Sequence, residues 1–292
     1  MLQSHRGLSF NAARSNPGGQ PFSGTSMLEL EFAQLSDAGK VRGHNEDFIG
    51  YARPSTPEQV RTHGWLFALA DGCGGHDRGE VASHLAVDTL VNGFYASPAG
   101  EAARVSLQRL VQSANTRICD FAATASPGGS SMATTLVACH LRYDRATVAH
   151  VGDSRCYLIR GSHATVLTHD HTLVHEQVRL GLLSEEEAAA SEARHQLSRS
   201  VGSGLFVNAD IDEHQLLAGD VLLLSSDGFH GSVSTREIAA VISRFPDLHQ
   251  AARALVSLAC EKDGSDNISV QLIRLKGVER IGIYRGRPYK LR

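Results

Sequence analysis

Two of the strongest apolar runs in the chain stop at an aspartate followed by glycine. Trp65 to Ala70 (WLFALA) runs into Asp71-Gly72, and Val221 to Leu224 (VLLL) passes through two serines into Asp227-Gly228. A third aspartate, Asp266, stands in GSDN just ahead of the apolar segment NISVQLI. Short continuous apolar runs read as strands buried on both faces, so each of these carboxylates is expected at the mouth of a core strand. Asp-Gly is the commonest turn pair, and any one such site reads as a turn. Three together also admit a second reading. Carboxylates gathered at strand ends repel one another and need cations, and hard oxygen ligands select Mg2+ or Mn2+. Spacing alone leaves both readings open.

A fourth segment narrows the choice. SDAGKVRGHNED places Arg42, Asn45, Glu46 and Asp47 close together. Taken alone, a mixed charge run is a solvated loop. Here an arginine, whose fork matches phosphate oxygens, lies beside acidic candidates for metal binding. An arginine with a di-metal centre is a working set for phosphoryl hydrolysis.

The remaining texture gives the fold class. Residues 1 to about 26 are rich in Gly, Ser, Asn and Pro without periodicity and read as disordered; Met27 is a candidate start of translation. Leu28 to Ser36 alternates like a half-buried strand. Apolar residues from Val81 to Phe94 recur at helical spacing, and a second helix is expected over about 101–123. From 133 the chain turns to short strands (TTLVACHL, ATVAHV, CYLIR, ATVL) separated by RYDR, GDSR and GSH, an antiparallel meander. A helical stretch is expected over Leu173 to Ser191, with LSEEE as a start signal. Two more helices are expected near 235–244 and 247–261, before the strand NISVQLIRL. Blocks of helices and antiparallel strands indicate an α+β layered fold. The expected organisation is an N-terminal extension (1–27), one domain (28–275) and a basic C-terminal tail (276–292).

With 42% hydrophobic and 20% charged residues the composition is that of a soluble globular protein. The net charge of -3 comes with no basic stripe, which argues against a nucleic-acid partner. No apolar stretch is long enough to span a bilayer as a helix. Five cysteines, an odd number with no CxxC, fit a reducing cytoplasm better than a disulfide framework. The cluster His169, Asp170, His171 and His175 reads as solvated loop histidines rather than a metal site.

The ordered set SDAGKVRGHNED (36–47), ALADGCGGHDRGEVAS (68–83), MATTLV (132–137), VGDSRCYLIR (151–160), DHTLVHEQVRLGLLSEEEA (170–188), LLLSSDG (222–228) and GSDNISV (264–270) resembles the PP2C-like (PPM) family of metal-dependent protein serine/threonine phosphatases, particularly its bacterial members. The resemblance covers about residues 30–275. It implies a central β-sandwich of two antiparallel sheets flanked by helices, with the site in a cleft at one end. It implies two Mn2+ or Mg2+ ions: Asp71 bridging them, the Gly72 carbonyl on the first, Asp227 and Asp266 on the second, and Glu46 and Asp47 on bound waters or on the metals. Arg42 is expected to clamp the substrate phosphate, and Asn267 to orient groups near Asp266. The role expected of Asp153, in the GDSR turn, is structural. The implied reaction is direct in-line attack of a metal-bridging hydroxide on phosphorus, without a phosphoenzyme.

Two departures stand out. Cys73 occupies a position where many relatives carry histidine or methionine, which shifts leaving-group protonation to metal-bound water or His76; a buried inert thiol is its expected state. ATASPGGSS, ahead of MATTLV, lacks an acid that many bacterial members use toward a third metal, so a third metal is doubtful or held weakly by a residue such as Asp170. Residues 168–205 correspond to a flap over the cleft, and loops of this kind often set substrate choice. The expected partners are phosphorylated serine/threonine proteins, including a Hanks-type kinase and its substrates, for a cytoplasmic monomer. The alternatives are a catalytically silent binding module, a small-molecule phosphoesterase and, more remotely, a metal nuclease.

Overall fold

The computed structural model describes residues 28–73, 78–125, 132–191, 193–278, 281–284 and 287–290. Along the chain run β1 (Leu28–Asp37), β2 (Asp47–Ala52), α1 (Pro57–Thr62), β3 (Trp65–Asp71), α2 (Gly79–Phe94), α3 (Ala103–Ala125), β4 (Leu136–Arg142), β5 (Arg145–Val151), β6 (Arg155–Arg160) and β7 (His163–Val166). They are followed by α4 (Leu173–Arg179), α5 (Glu185–Ala190), β8 (Asp210–Gln215), β9 (Val221–Ser225), α6 (Asp227–His230), α7 (Thr235–Arg244), α8 (Leu248–Lys262), β10 (Ile268–Val278), β11 (Ile281–Tyr284) and β12 (Arg287–Lys290).

The strands form two antiparallel five-stranded sheets, ordered β1-β10-β9-β6-β7 and β2-β3-β4-β5-β8. Period-two alternation explains how a continuous apolar run serves two cores. In β3, Phe67 and Leu69 face the other sheet, while Leu66, Ala68 and Ala70 face the helices α2 and α3. In β9, Leu222 and Leu224 enter the inter-sheet core, and Val221 and Leu223 pack under α7 and α8. The result is four layers, helices outside and a sandwich inside, as expected of an α+β chain.

Three features differ from the sequence reading. The helix expected over Leu173 to Ser191 is two short helices, α4 and α5, broken after Leu180 where Gly181 takes φ +72°; glycine there ends a helix at no steric cost. The LSEEE signal starts α5 alone, with Ser184 and Glu187 forming a reciprocal capping box. At the C-terminal end β10 continues to Val278, and β11 pairs with β12 in a two-stranded hairpin. Residues 1–27 and His76 lie outside the described residues.

Candidate active site

The cleft opens where strands of both sheets end. Asp47 opens β2 and Asp71 closes β3, and antiparallel register makes them direct cross-strand partners. Like charges directly opposite destabilise a ladder, so this pair needs something between them. Asp47 is 8% exposed, and its Oδ1 is buried with no protein partner. Its Oδ2 accepts the Ser226 hydroxyl at 2.8 Å, and the same hydroxyl accepts the Ser269 amide at 3.0 Å. Asp227, next after Ser226, begins α6 from the opposite sheet.

Asp266 and Asn267 precede β10. The Arg42 guanidinium donates to Asp266 Oδ2 at 2.6 Å. Asn267 ties this corner to the loop before β2: its Oδ1 accepts the Glu46 amide at 2.8 Å, and its Nδ2 donates to the Ala38 and His44 carbonyls at 3.1 Å each. Beyond Asp71, the Gly72 amide donates to the Glu46 carbonyl at 3.1 Å. A Cβ on Gly72 would stand 2.4 Å from the backbone of Gly79, so only glycine lets the end of β3 lie against the start of α2.

The electrostatics follow from burial. Desolvation, then the neighbouring Asp47 and Asp227, raise the Asp71 carboxyl well above the ordinary range. Burial likewise takes Asp47 to about 7, against the hydrogen bonds from Ser269 and Ser226. Burial opposes ionisation of Asp227, but the contact with His195, whose Nδ1 lies 3.7 Å from its Oδ2, and the proximity of His230 outweigh it and lower its pKa. Cys73 is pushed up to about 12, first by burial and then by Asp153 and Asp227.

The structure thus brings Arg42, Glu46, Asp71, Gly72, Asp227 and Asp266 to one cavity of about 1780 Å3. Asp47 and Asn267 stand directly behind them. Asp153 is nearer the chemistry than a turn residue: it lines the same cavity, and burial followed by Asp227 and Asp170 raises it to about 7. Its carbonyl accepts His230 Nε2 at 3.0 Å. Asp170 is committed elsewhere, in a bidentate pair with Arg155 at 2.8 and 2.6 Å. His44 and Glu80 were not singled out from sequence; with Glu46 their ligand atoms lie within 4.8 Å of one another. The position of Glu80 in the first turn of α2, just after the Asp71-Gly72 loop, was the available signal. An orphaned buried oxygen, several carboxyls held above their ordinary range and a donor set dominated by oxygen fit hard divalent cations.

A second cluster has different chemistry. His150, His171 and Asp210 also converge within 4.8 Å. His171, expected as a solvated loop residue, is 1% exposed. The Gly152 amide donates to its Nδ1 at 3.2 Å, so the neutral ring carries its proton on Nε2, aimed at Asp210 Oδ2 3.1 Å away. Arg199 takes the other oxygen of Asp210 at 2.9 Å. A proton and a guanidinium occupy the places a cation would need.

Comparison with known proteins decides the family. The model of the family described as protein phosphatase 2C matches residues 45–261. The chain belongs to the protein phosphatase 2C family. It is 33% identical over 241 residues to the serine/threonine phosphatase stp of Listeria innocua, covering 82% of this chain and 93% of that one. The solved serine/threonine phosphatase of S. agalactiae superposes with a TM-score of 0.76 at 33% identity, covering 84% of this chain and 99% of that one. The catalytic domain of the phosphatase PstP, solved in complex with two manganese ions, superposes with a TM-score of 0.71 at 32% identity, covering 85% and 99%. The expected sandwich fold and the expected activity, metal-dependent hydrolysis of phosphoserine and phosphothreonine, are those of this phosphatase's family.

Proposed function

We propose that this phosphatase dephosphorylates serine and threonine side chains of proteins by direct attack of water, with two Mn2+ or Mg2+ ions held between its strand ends. The observation that carries the reading is the opposed pair Asp47 and Asp71, with a buried Asp47 oxygen that no protein group satisfies. Asp71, the Gly72 carbonyl, Asp227 and Asp266 are the proposed ligands, with Glu46 and Asp47 holding bound waters or the ions themselves. Such cations supply an activated water at neutral pH and offset charge on the phosphoryl oxygens. Arg42 spends one N–H on Asp266, which leaves further donors of its fork for phosphate. Asn267 and Ser226 hold the corner rigid by tying Glu46 and Asp47 to the start of β10. A thiol at about 12 is protonated at neutral pH, which argues against Cys73 as a nucleophile and supports attack without a phosphoenzyme.

Residues 28–275 are proposed as the catalytic domain, holding two ions; a third is doubtful, as Asp170, the flap residue considered for it, is committed to Arg155. Asp153 is a supporting residue of the cleft. No helix among the described residues is long and apolar enough to cross a membrane. The proposed setting is the cytoplasm, with the protein acting as a monomer that opposes a Hanks-type kinase.

The test is turnover of a phosphothreonine peptide with Mn2+ and then with EDTA, by the parent and by Asp71→Asn and Asp227→Asn. Turnover that needs Mn2+ and disappears in both variants supports the reading. A folded, cation-binding but silent parent indicates a binding module, and turnover of small phosphates alone indicates a small-molecule phosphoesterase.

A further inference from the structure

The cavity over the carboxylates has a second kind of wall. Val174 and Val178 stand one helical turn apart on α4 and share a face. Ala188 of α5, Leu197 on the returning arm of the flap and Val166 at the end of β7 line the same cavity as Asp71, Asp227 and Asp266. The flap brings them together through backbone contacts: Thr172 bridges Leu197, and the Leu173 amide donates to the Gln196 carbonyl at 2.9 Å. Val174, Val178, Ala188 and Leu197 belong to none of the three hydrophobic cores. Val174 is nevertheless only 6% exposed. Val174 is thus packed beneath the flap, while the half-buried Val178, Ala188 and Leu197 leave part of their apolar surface open to the cavity.

A phosphorylated side chain does not need this surface. At about 1780 Å3 the cavity exceeds the roughly 300–1,000 Å3 of small-molecule sites. A phosphate ester docked on the carboxylate end would leave the valine-lined end unfilled. The rim carries the polar groups His175, Arg194 and His195, which also line the cavity, so the arrangement is an apolar floor with a polar edge.

The geometry points to a substrate subsite in which the flap receives a large aliphatic or aromatic side chain lying within two residues of the phosphoserine or phosphothreonine. The occupant is a side chain of the substrate protein because the wall is continuous with the phosphate-binding end of the same cavity. This inference rests on the phosphatase reading and names a substrate class within it. Hydrophobic pockets discriminate by about tenfold or more per well-filled apolar group, so the preference is expected in kcat/KM at that scale.

The test uses the full chain with Mn2+ and a set of phosphothreonine peptides in which leucine or asparagine is placed at each of the two positions on either side of the phosphoresidue. The parent is expected to prefer leucine by about tenfold in kcat/KM at one of these positions. Val178→Thr keeps the shape of the side chain and adds a hydroxyl; Val178→Asp adds a charge. Both are expected to bring the leucine-to-asparagine ratio to within about twofold. The ratio is read within each protein, so a change in general turnover cancels. Equal turnover of all peptides by the parent overturns the subsite while leaving the phosphatase reading intact. A preference that persists undiminished in both variants assigns it to another surface and overturns the subsite as well. Absence of turnover toward every peptide and toward an aryl phosphate overturns both readings.

Discussion

Two groups of buried and half-buried polar side chains lie on either side of the Gly152-Asp153 turn. On one side His150, His171 and Asp210 anchor the flap to β5 and β8; on the other Asp47, Asp71, Asp153 and Asp227 gather at the strand ends. In the first group each proton has an acceptor: His150 Nε2 donates to the His169 carbonyl at 2.6 Å, His171 Nε2 to Asp210, and Arg199 to Asp210 and Glu176. In the second, carboxylates face one another and one buried oxygen has no partner. A satisfied network rigidifies, whereas an unsatisfied one of uniform sign is held for a ligand of opposite sign. Ligand-type residues within reach of one another are common to both, so it is the proton inventory that separates a cation site from a structural clasp.

The sharpest way to break this contrast is at Asp71. Asp71→Asn removes a carboxylate from the cation-binding set and is expected to cut Mn2+-dependent peptide turnover by about 10³-fold or more. The thermal midpoint of the cation-free protein should hold or rise, because like charges have been relieved. A fall in the cation-free midpoint would falsify the claim that these carboxylates strain the fold. Next in size is Gly72→Ala, where the added methyl collides with Gly79. About a hundredfold loss in turnover is expected, with weaker Mn2+ affinity by titration; unchanged affinity would mean that β3 and α2 can part at no cost.

The two regions should also respond to pH with opposite sign. Asp47 and Asp153 stand at about 7 in the folded protein, above the ordinary ~3.9 of an unfolded aspartate. Their contribution is full below the unfolded value and is lost as pH rises through the folded one, between about pH 4 and pH 7. Mn2+ must displace those protons, so the rise in midpoint on adding Mn2+ should be larger at pH 8 than at pH 5.5; an equal rise at both would sink the linkage. His150 is held at about 4, first by burial and then by His171. Its contribution is present above about 6.5 and is lost as pH falls toward 4. His150→Asn should flatten the acid side of the stability profile alone.

A smaller effect is expected at Asp210, where Asp210→Ala leaves His171 without its acceptor and Arg199 with Glu176 alone. A loss of about 1–3 kcal/mol in denaturant unfolding is expected, with Mn2+ affinity retained. Loss of Mn2+ binding would instead join the two regions into one site. The smallest effect is at Cys73, whose thiol at about 12 should be inert. Peroxide inactivation of the parent and of Cys73→Ser should match, and protection by the serine would give the thiol a redox role.

Much of this was legible in the sequence because strands carry a simple code. WLFALAD and VLLLSSD are apolar without interruption, which is what a strand between two cores requires, and the aspartate that ends each run stands where the core ends. The order of motifs from Arg42 to Asn267 then marked the residues that line the cleft or stand directly behind it. The rest depends on contacts that no local pattern encodes. Asp153 reads as a turn aspartate because GDSR is a turn; that the turn points into the cleft depends on how β5 and β6 join the two sheets. His171 reads as a loop residue because its partners, Gly152 and Asp210, are distant in sequence. The break between α4 and α5 was visible as Gly181, but a single glycine inside a helical pattern is weak punctuation.

Thr134 pairs on one side with Gly72 and on the other with Val201, where the flap returns to the body. The bonds are paired backbone contacts, Thr134 to Val201 at 3.0 Å and the reverse at 2.8 Å, with the Thr135 amide on the Asp71 carbonyl at 2.8 Å. The returning arm of the flap and the floor of the cleft at Asp71-Gly72 are therefore rungs of one ladder. Traction on that arm is passed to Gly72 through backbone rather than through side chains, so the flap can swing about this seam but cannot slide along it without dragging the floor with it.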